Sequence, residues 1–384
     1  YIVLALPTSY QHFKFQTEKE YSPCLNFIPA LKTSTARVPI DEHNCAVQFD
    51  VTKCKNCTLC RRACADTQTV LDYYSLSSTG DLPICVHCGQ CATACPFDAI
   101  NEVNDVGRVK EALNDPDKIV IFQTAPAVRV GLGEAFGMEP GSFVEGKMVS
   151  ALRALGADYV FDTDFGADMT IMEEAMELLH RLQSEEIPIP QFTSCCPAGR
   201  VCRNFLSGLI PHLSSTKSPI SILSPIIKTY FAQQKNIDPK KIVNVCVTPC
   251  TAKKSEIRRP QLSAAGFLDE PEIRDTDICI TTRELAKWIQ EENIDFDSLE
   301  NSHFDKTFGS SSGGGRIFGN SGGVMEAAIR TAYHMFTGRP APKDFIPFEP
   351  VRGLQGVKKA TVIFGTFVIH VAAISGLANA RAFI

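Results

Sequence analysis

The sequence predicts an α/β protein of two lobes that is preceded by a small α+β domain. Eight of the 16 cysteines lie between Cys54 and Cys95, in a segment with too few apolar residues to fold without metal. After Asp115 apolar strands alternate with periodic helices, and a second series of this kind begins near Ile242. We therefore expect an N-terminal extension at 1–45, the small domain at 46–108, and a larger domain at 116–384 with lobes at about 116–215 and 216–384.

The composition limits the class of protein and its surroundings. A chain of 384 residues can bury more than one core. Its 38 basic and 43 acidic residues give a net charge of -5, which argues against nucleic acid as a partner. The clustered cysteines have the spacing of metal ligands and not of a scattered disulfide framework, so we expect a reducing, low-oxygen compartment.

The first lobe is predicted from alternating apolar runs. Its expected elements are strands at 118–123, 159–161 and 189–194 and helices at 144–155 and 169–182. Gly156 is expected to end the first of these helices. The last strand leads directly into the adjacent pair Cys195 and Cys196. Vicinal cysteines cannot easily bridge each other and fit no ordinary zinc spacing, so this pair needs a special explanation.

The second lobe repeats the pattern. Its expected elements are strands at 242–250 and 277–282, a helix at 283–294 capped by Thr282, a helix at 322–338, and two strands near the end of the chain. The apolar stretch from Ala360 to Ala378 approaches the length of a membrane span. The turn signal Gly365-Thr366 in its middle favours two buried strands instead. Cys196 and Cys250 both follow predicted strands, where a crevice in an α/β sheet usually holds the site.

The two cysteine runs indicate iron–sulfur clusters. They read Cys54-x2-Cys57-x2-Cys60-x3-Cys64 and Cys85-x2-Cys88-x2-Cys91-x3-Cys95-Pro96. In the two-cluster ferredoxin arrangement, each run gives three thiolates to one [4Fe–4S] cluster and its fourth to the other. The expected ligands are Cys54, Cys57, Cys60 and Cys95 for one cluster and Cys85, Cys88, Cys91 and Cys64 for the second. Zinc is the alternative, but zinc modules seldom show this run even once.

Four further segments carry a resemblance to a known family. They are FQTAPAVRVGLGEAFG (122–137), FTSCCP (192–197), TPCTAKKSE (248–256) and GGVMEAAIRTAYHMFTGR (322–339). In order and spacing the chain from about Gln48 resembles the [FeFe]-hydrogenase large-subunit family. The resemblance implies a ferredoxin-like 2[4Fe–4S] domain followed by a two-lobed iron-hydrogenase catalytic domain. It also implies the H-cluster, a [4Fe–4S] cubane linked through one cysteine to a two-iron unit with carbonyl, cyanide and a bridging dithiolate amine.

The resemblance gives the cysteine pair two different roles. It implies that Cys196 and Cys250 ligate the cubane, while Cys195 is the acid/base that exchanges protons with the bridging amine. A thiol beside a ligand cannot comfortably reach the same metal, yet it can shuttle a proton if its pKa is tuned. The alternative from the residues alone is that Cys195 is a small buried hydrophobic residue.

Further stations of a proton path are implied on the helix at 169–182. Glu174 and Glu177 share a face of it, and the resemblance places both on the path with Ser214 between them. The alternative is an ordinary solvated face, supported by an i,i+4 pair of Glu177 with Arg181. Glu173 is expected at the surface.

The resemblance also implies a pocket for the two-iron unit. Lys253 would hold a cyanide through a charge-assisted hydrogen bond, and Ala125, Pro126 and Ala127 would line the pocket with backbone donors. Thr248 stands in the same pocket where the family usually has Met. Lys254 is expected to be a surface charge.

The resemblance breaks at the end of the chain. The family takes two more cubane ligands from a Cys-x3-Cys segment, and this sequence stops at Ile384 before reaching one. We expect a fragment of a complete hydrogenase, with a natural relative that has lost the catalytic metal as the alternative. Three other cysteines, Cys202, Cys246 and Cys279, are expected to be core residues, whereas Cys24 and Cys45 have no partner at ligand spacing.

The expected function is reversible reduction of protons to hydrogen. Ferredoxin or a similar carrier would supply electrons through the two clusters, and maturation proteins would assemble the H-cluster. We expect a monomer without membrane contact, in the cytoplasm or the matrix of an anaerobic organelle such as a hydrogenosome. The alternative is a catalytically inactive relative that acts in redox sensing or iron–sulfur assembly.

Overall fold

The computed structural model of the chain describes residues 2–7, 38–40, 42–71, 85–184, 187–197, 207–267, 272–353 and 355–383. The chain divides into two compact units. The first unit combines 1–102, 172–215 and 320–384, and the second unit combines 103–171 and 216–319. Each unit is assembled from segments distant in sequence, whereas the sequence analysis drew contiguous lobes. The domain boundaries given there stay predictions.

Ten strands lie within the described residues. They are β1 (Ile2–Pro7), β2 (Val47–Phe49), β3 (Ile100–Glu102), β4 (Ile119–Thr124), β5 (Tyr159–Asp162), β6 (Ile242–Thr248), β7 (Ile278–Thr281), β8 (Glu349–Pro350), β9 (Val357–Phe364) and β10 (Phe367–Ile374). They form three sheets, with strand orders β1-β10-β9-β8, β2-β3 and β5-β4-β6-β7.

The α-helices of the described residues vary widely in length. They are α1 (Leu59–Arg62), α2 (Gln90–Thr93), α3 (Val106–Asn114), α4 (Val128–Gly131), α5 (Glu145–Ala154), α6 (Thr163–Gln183), α7 (Pro219–Ile226), α8 (Ala232–Lys235), α9 (Lys253–Glu256), α10 (Thr282–Glu291), α11 (Gly313–Ile317), α12 (Gly323–Thr337) and α13 (Leu377–Phe383). A π-helical segment, Ile227–Phe231, joins α7 to α8. None of the helices in the described ranges is long and apolar enough to cross a membrane.

The second unit is built round the parallel sheet β5-β4-β6-β7. Both faces of this sheet are buried, which explains why its strands are continuous apolar runs. Phe122 on one face belongs to a core with Met148 of α5 and Leu285 of α10. Ile121 on the opposite face packs in a core with Leu223 of α7. The predicted strands of this sheet are confirmed, with ends within two residues of those expected.

Helix boundaries follow local chemistry. Helix α5 ends as predicted before Gly156, whose φ of 106° suits glycine. The predicted cap of α10 was wrong by one residue. Thr281 and not Thr282 is the N-cap, because its hydroxyl accepts from Glu284 N while the Glu284 carboxylate accepts from Thr281 N.

The first unit contains the antiparallel sheet β1-β10-β9-β8. Its core includes Ala175 and Leu178 of α6, Met325 and Ile329 of α12, and Val362 of β9. The apolar stretch near the end of the chain forms two strands, β9 and β10, as predicted. Gly365 at φ 58° stands in the turn between them.

The strand predicted at 189–194 is wrong. In this segment of the first unit, the described residues form no strand: Phe192 and Thr193 make isolated bridges, and Phe192 pairs with Leu213. Pro188 and Pro190 have no N–H to donate to a ladder, which limits pairing to the end of the segment. Phe192 N donates to His212 O and Ser214 N donates to Phe192 O, both at 2.8 Å. This pairing lays the approach to the cysteine pair beside the segment that carries Ser214.

Candidate functional site

Two cavities in the first unit are lined by cysteines in the predicted groups. Cys54, Cys57, Cys60 and Cys95 line one cavity. Cys64, Cys85, Cys88 and Cys91 line the other. Each cavity therefore receives three cysteines from one run and the fourth from the other. We name them the outer cavity, which contains the exposed Cys57, and the inner cavity.

The four cysteines of the inner cavity lie close enough to affect each other's protonation. Burial raises the pKa of Cys91 to about 12, and the neighbouring Cys85, Cys88 and Cys64 add to the rise. Thiolates so close together need a compensating cationic core. The described residues contain no group that would hold a single metal ion. A cubane differs in this respect, since its four thiolates bind four separate irons.

The two ligand loops share one backbone geometry. Asn56 and Thr58 in the first loop and His87 and Gly89 in the second all have left-handed φ, between 53° and 75°. The turn aims amides at sulfur: Asn56 N lies 3.5 Å from Cys54 Sγ, and His87 N lies 3.4 Å from Cys85 Sγ. Such hydrogen bonds help to set the potential of an iron–sulfur cluster.

The inner cavity and the cysteine pair interact electrostatically. The pKa of Cys88 is raised by burial first and then by the charges of Cys85 and Cys196. Cys195 and Cys196 are both half-buried, and Ser194 Oγ donates to Cys196 O at 3.4 Å. Residues 198–206, which include Cys202, lie outside the described residues, as does Cys24.

Three predicted relay residues meet in the first unit. Ser214 Oγ donates to Glu177 Oε2 at 3.0 Å and also lies beside the Glu174 carboxyl group, whose pKa it lowers. Glu174 is buried and Glu177 is partly buried, while Glu173 is exposed as predicted. The alternative of a solvated face is therefore wrong for Glu174. The predicted pair of Glu177 with Arg181 is present at 2.7 Å, and Arg181 is buried as well.

The environments of the two carboxyl groups separate their pKa values. Burial raises the pKa of Glu174 to about 7, against the opposing effect of hydrogen bonds from Thr193, Ser214 and Gln191. Burial would also raise the pKa of Glu177, but hydrogen bonds from Arg181 and Ser215 lower it below its ordinary value. Near neutral pH one group is thus close to its titration point and its neighbour is ionised, a division typical of acid/base sites.

Gln191 and Thr193, which were not predicted as site residues, also belong to this network. Thr193 Oγ1 and Gln191 Nε2 donate to Glu174 Oε2 at 2.8 and 2.9 Å. Arg181 Nη1 and Nη2 donate to the carbonyls of Pro188 and Leu213. The only sequence signal for the first two is their position just before the cysteine pair.

The second unit places the remaining predicted residues at one end of its sheet. Ala125, Pro126 and Ala127 follow β4, and Thr248 ends β6, its neighbour in the sheet. Chain connections leave the sheet in opposite directions at these two strands, and ligands of open α/β sheets bind at such a switch point. Ala125 N donates to Val247 O at 2.9 Å.

Cys250 lies just after β6, and Lys253 begins the short helix α9 that follows. Cys250 N lies 3.3 Å from Thr248 Oγ1, and Cys250 is half-buried. Lys253 is buried, with Nζ 2.8 Å from Glu256 Oε2. Burial alone would raise the pKa of Glu256, but Lys253 and the hydroxyls of Ser218 and Ser221 lower it. Glu256 is a further residue that the sequence analysis missed.

Lys254 was wrongly predicted to be a surface charge. Its Nζ is fully buried and lies 2.8 Å from Asp105 Oδ2 and 2.9 Å from Glu284 Oε2. Burial alone would lower the pKa of Lys254, but the two carboxylates raise it. Cys246 and Cys279 are core residues, as predicted, and are register partners on β6 and β7.

A buried charge cluster also follows β5. Arg129 donates to Asp162 and Glu145, with both shortest contacts at 2.5 Å. Burial and the Asp162 charge raise the pKa of Asp164 to about 7. An arginine just after one strand and an Asp-x-Asp pair after its neighbour were the available sequence signal.

Four-cysteine cavities combined with a parallel α/β sheet define an iron–sulfur protein of the α/β class. The family model described as "Iron only hydrogenase large subunit, C-terminal domain" matches residues 118–384. A model of a 4Fe-4S binding domain matches residues 81–101. The chain belongs to the iron-only hydrogenase large-subunit family.

The similarity extends to individual relatives and to solved structures. The NADP-reducing hydrogenase subunit HndD of Solidesulfovibrio fructosivorans is 44% identical over 86% of this chain, and iron hydrogenase 1 of Clostridium pasteurianum is 42% identical over 92%. A variant of apo [FeFe]-hydrogenase HydA1 from Chlamydomonas reinhardtii has a TM-score of 0.64 and 38% identity, covering 73% of this chain and 77% of that one.

The matched relatives are longer than this chain, and they include one that is more distant in sequence. The chain spans 58% and 62% of the lengths of the two curated hydrogenases. A more distant relative, cytosolic iron-sulfur assembly component 3 of Bos taurus, is 29% identical over 77% of this chain and 63% of its own length.

Proposed function

We propose that the protein acts in the reversible reduction of protons to molecular hydrogen. The observation that carries this proposal is the hydrogen-bonded series Glu174–Ser214–Glu177 in a chain of the hydrogenase family. A buried carboxyl group that titrates near neutral pH suits proton transfer. A protein that only assembled or sensed clusters would gain nothing from it.

The cysteine cavities would hold two [4Fe–4S] clusters that carry electrons. The exposed Cys57 puts the cluster of the outer cavity within reach of ferredoxin or a similar low-potential carrier. The cluster of the inner cavity would pass electrons on toward the cysteine pair. The whole route lies on residues of the first unit.

Cys196 and Cys250 would ligate the cubane of the H-cluster. That cofactor, when bound, supplies the chemistry that joins protons and electrons. Lys253 would hold an anionic ligand of the cluster by a charge-assisted hydrogen bond, with Glu256 fixing its ammonium group. Ala125, Pro126, Ala127 and Thr248 would line the same pocket at the switch point of the sheet.

Cys195 would exchange protons between this centre and the carboxyl series. Thr193, two residues before it, holds Glu174 in place. Glu174 would receive or release the proton, Ser214 would relay it by exchanging hydrogen-bond partners, and Glu177 would pass it toward solvent. Glu177 is ionised near neutral pH, because Arg181 and Ser215 lower its pKa, so it would hold the proton only briefly before releasing it to solvent.

The test is hydrogen evolution from anaerobically matured, dithionite-reduced protein, fused in frame to the Cys-x3-Cys segment of a relative. Cys195→Ser should lower the rate by about 10²–10⁴-fold, the usual contribution of a positioned acid/base. Its iron content should not change. Cys45→Ser is the matched control and should keep the parental rate. Evolution at the parental rate by Cys195→Ser would refute the proton role.

A second candidate is a role in iron–sulfur assembly, which the relative from Bos taurus supports. Matured protein that holds its clusters yet evolves no hydrogen, and that donates a cluster to an apo-acceptor, would favour this candidate.

A further inference from the structure

The first unit contains a small cavity on the side of Glu174 that faces α12. It is lined by Glu174, Leu178, Gln191, Thr193, Val324, Met325, Ala328 and Ile329. All eight residues are buried. Its volume is about 20 Å³, which exceeds the space that one water molecule needs.

One buried polar atom at this site, Gln191 Oε1, lacks a hydrogen-bond partner among the described residues. Gln191 is 4% exposed, and its Nε2 donates to Glu174 Oε2 at 2.9 Å. The other end of the same amide, Oε1, is buried and has no hydrogen-bond partner among the residues that the structure describes. An orphaned buried carbonyl is costly, and ordered water is the usual remedy where a cavity has room.

We infer that the cavity binds one water molecule through Gln191 Oε1, and that Gln191 is a positioning residue for the Glu174 carboxyl group. The water would donate to Gln191 Oε1, and the Glu174 and Thr193 side chains offer its further partners. The amide is thereby held with its N–H₂ group toward the carboxylate. The role in catalysis rests on the proposed proton relay, whereas the site itself does not.

This arrangement explains why the relay carboxyl group titrates near neutrality. The wall that α12 contributes is apolar, so burial favours the protonated form of Glu174. The charged or titratable groups near Glu174 are Glu177 and Arg181 on the same helix, α6, and His212 on the segment that carries Ser214. Hydrogen bonds from Gln191 and Thr193 stabilise the carboxylate and oppose the effect of burial.

The experiment follows the protonation of Glu174 by infrared difference spectroscopy of the full chain as pH is varied. Glu174→Gln identifies the carboxyl band. Gln191→Leu should raise the midpoint of that band by about one to two pH units, because a hydrogen bond to the carboxylate is lost. Gln183→Leu is the matched control. Gln183 is exposed and lies on α6, the helix that carries Glu174, so this change should leave the midpoint of the Glu174 band unchanged.

Two more variants keep the test decisive. Gln191→Asn retains the amide but is too short to reach Glu174, so it should give the same shift if Gln191→Leu fails to fold. Ala328→Val narrows the cavity without touching the hydrogen bond, and should expel the water and raise the midpoint by a smaller amount. A high-resolution crystal structure should show the water in the parent and not in Ala328→Val.

The outcomes separate the parts of the inference. An unchanged midpoint in folded Gln191→Leu or Gln191→Asn overturns the positioning role. An empty cavity in the parent crystal overturns the water site. Neither readout needs the H-cluster, so both are distinct from failure of the proposed function, which would appear as unchanged hydrogen evolution in matured Glu174→Gln.

Discussion

The two units bury charge in opposite ways. In the second unit, Lys254 is enclosed by the carboxylates of Asp105 and Glu284, so cation and anions meet in direct contact. In the first unit, Arg181 is paired with Glu177, while the donors to Glu174 within the described part of the chain are neutral. A cluster that is neutralised by contact serves to fix structure. A carboxyl group without a cation can change its protonation state at modest cost, which proton transfer requires.

The largest expected effect concerns the buried ion pairs of Lys254 with Asp105 and Glu284. Lys254→Met should lower the free energy of unfolding by about 3–5 kcal/mol, because two buried carboxylates lose their cation. The urea midpoint at neutral pH measures this change. Lys287→Met, at an exposed ion pair with Glu291, is the control and should change stability by less than about 0.5 kcal/mol. A loss for Lys254→Met as small as the control's would mean that the cluster is not structural.

The second largest effect concerns the buried carboxyl group of Glu174. The pKa of Glu174 is raised from 4.5 to about 7. The protonated form therefore stabilises the fold fully below about pH 4.5, and this contribution is lost as pH rises through 7, up to about 3 kcal/mol. Glu174→Gln should remove this part of the pH dependence of unfolding. Glu173→Gln, on the exposed face of α6, should keep this pH dependence. If the free energy of unfolding varies with pH in the same way in both variants, Glu174 is not the group responsible.

The smallest effect concerns the link between the carboxyl groups. Ser214→Ala should cost about 1–2 kcal/mol and raise the pKa of both Glu174 and Glu177, because it removes a hydroxyl whose single proton can turn to either carboxylate. Ser215→Ala is closely matched but touches only Glu177 among the two. Ser215→Ala should therefore raise the pKa of Glu177 and leave that of Glu174 unchanged. Titration by infrared spectroscopy distinguishes the two patterns, and identical patterns would show that Ser214 does not connect the groups.

Sequence patterns predicted the sheets better than the site. The strands β4, β6 and β7 were predictable because burial on both faces makes them uniformly apolar. The strand expected at 189–194 failed because Pro188 and Pro190 outweigh an apolar pattern. The cysteine groups follow from spacing alone.

Other site residues depend on contacts between distant segments. The burial of Lys254 is invisible in sequence, since its partners Asp105 and Glu284 are 149 and 30 residues away. Gln191 likewise looks ordinary until α6 and α12 enclose it. Polar residues whose role comes from their surroundings are therefore the ones that pattern analysis misses.

The paired ligand loops differ at one position in a way that bears on how the clusters are lost. Gly89 adopts its left-handed backbone without cost, whereas Thr58 at φ 68° is a β-branched residue held in a conformation it disfavours. The outer loop therefore carries backbone strain at Thr58 that the inner loop avoids at Gly89. Of the two proposed clusters, the one in the outer cavity should be lost first on oxidation, because Cys57 is exposed to solvent.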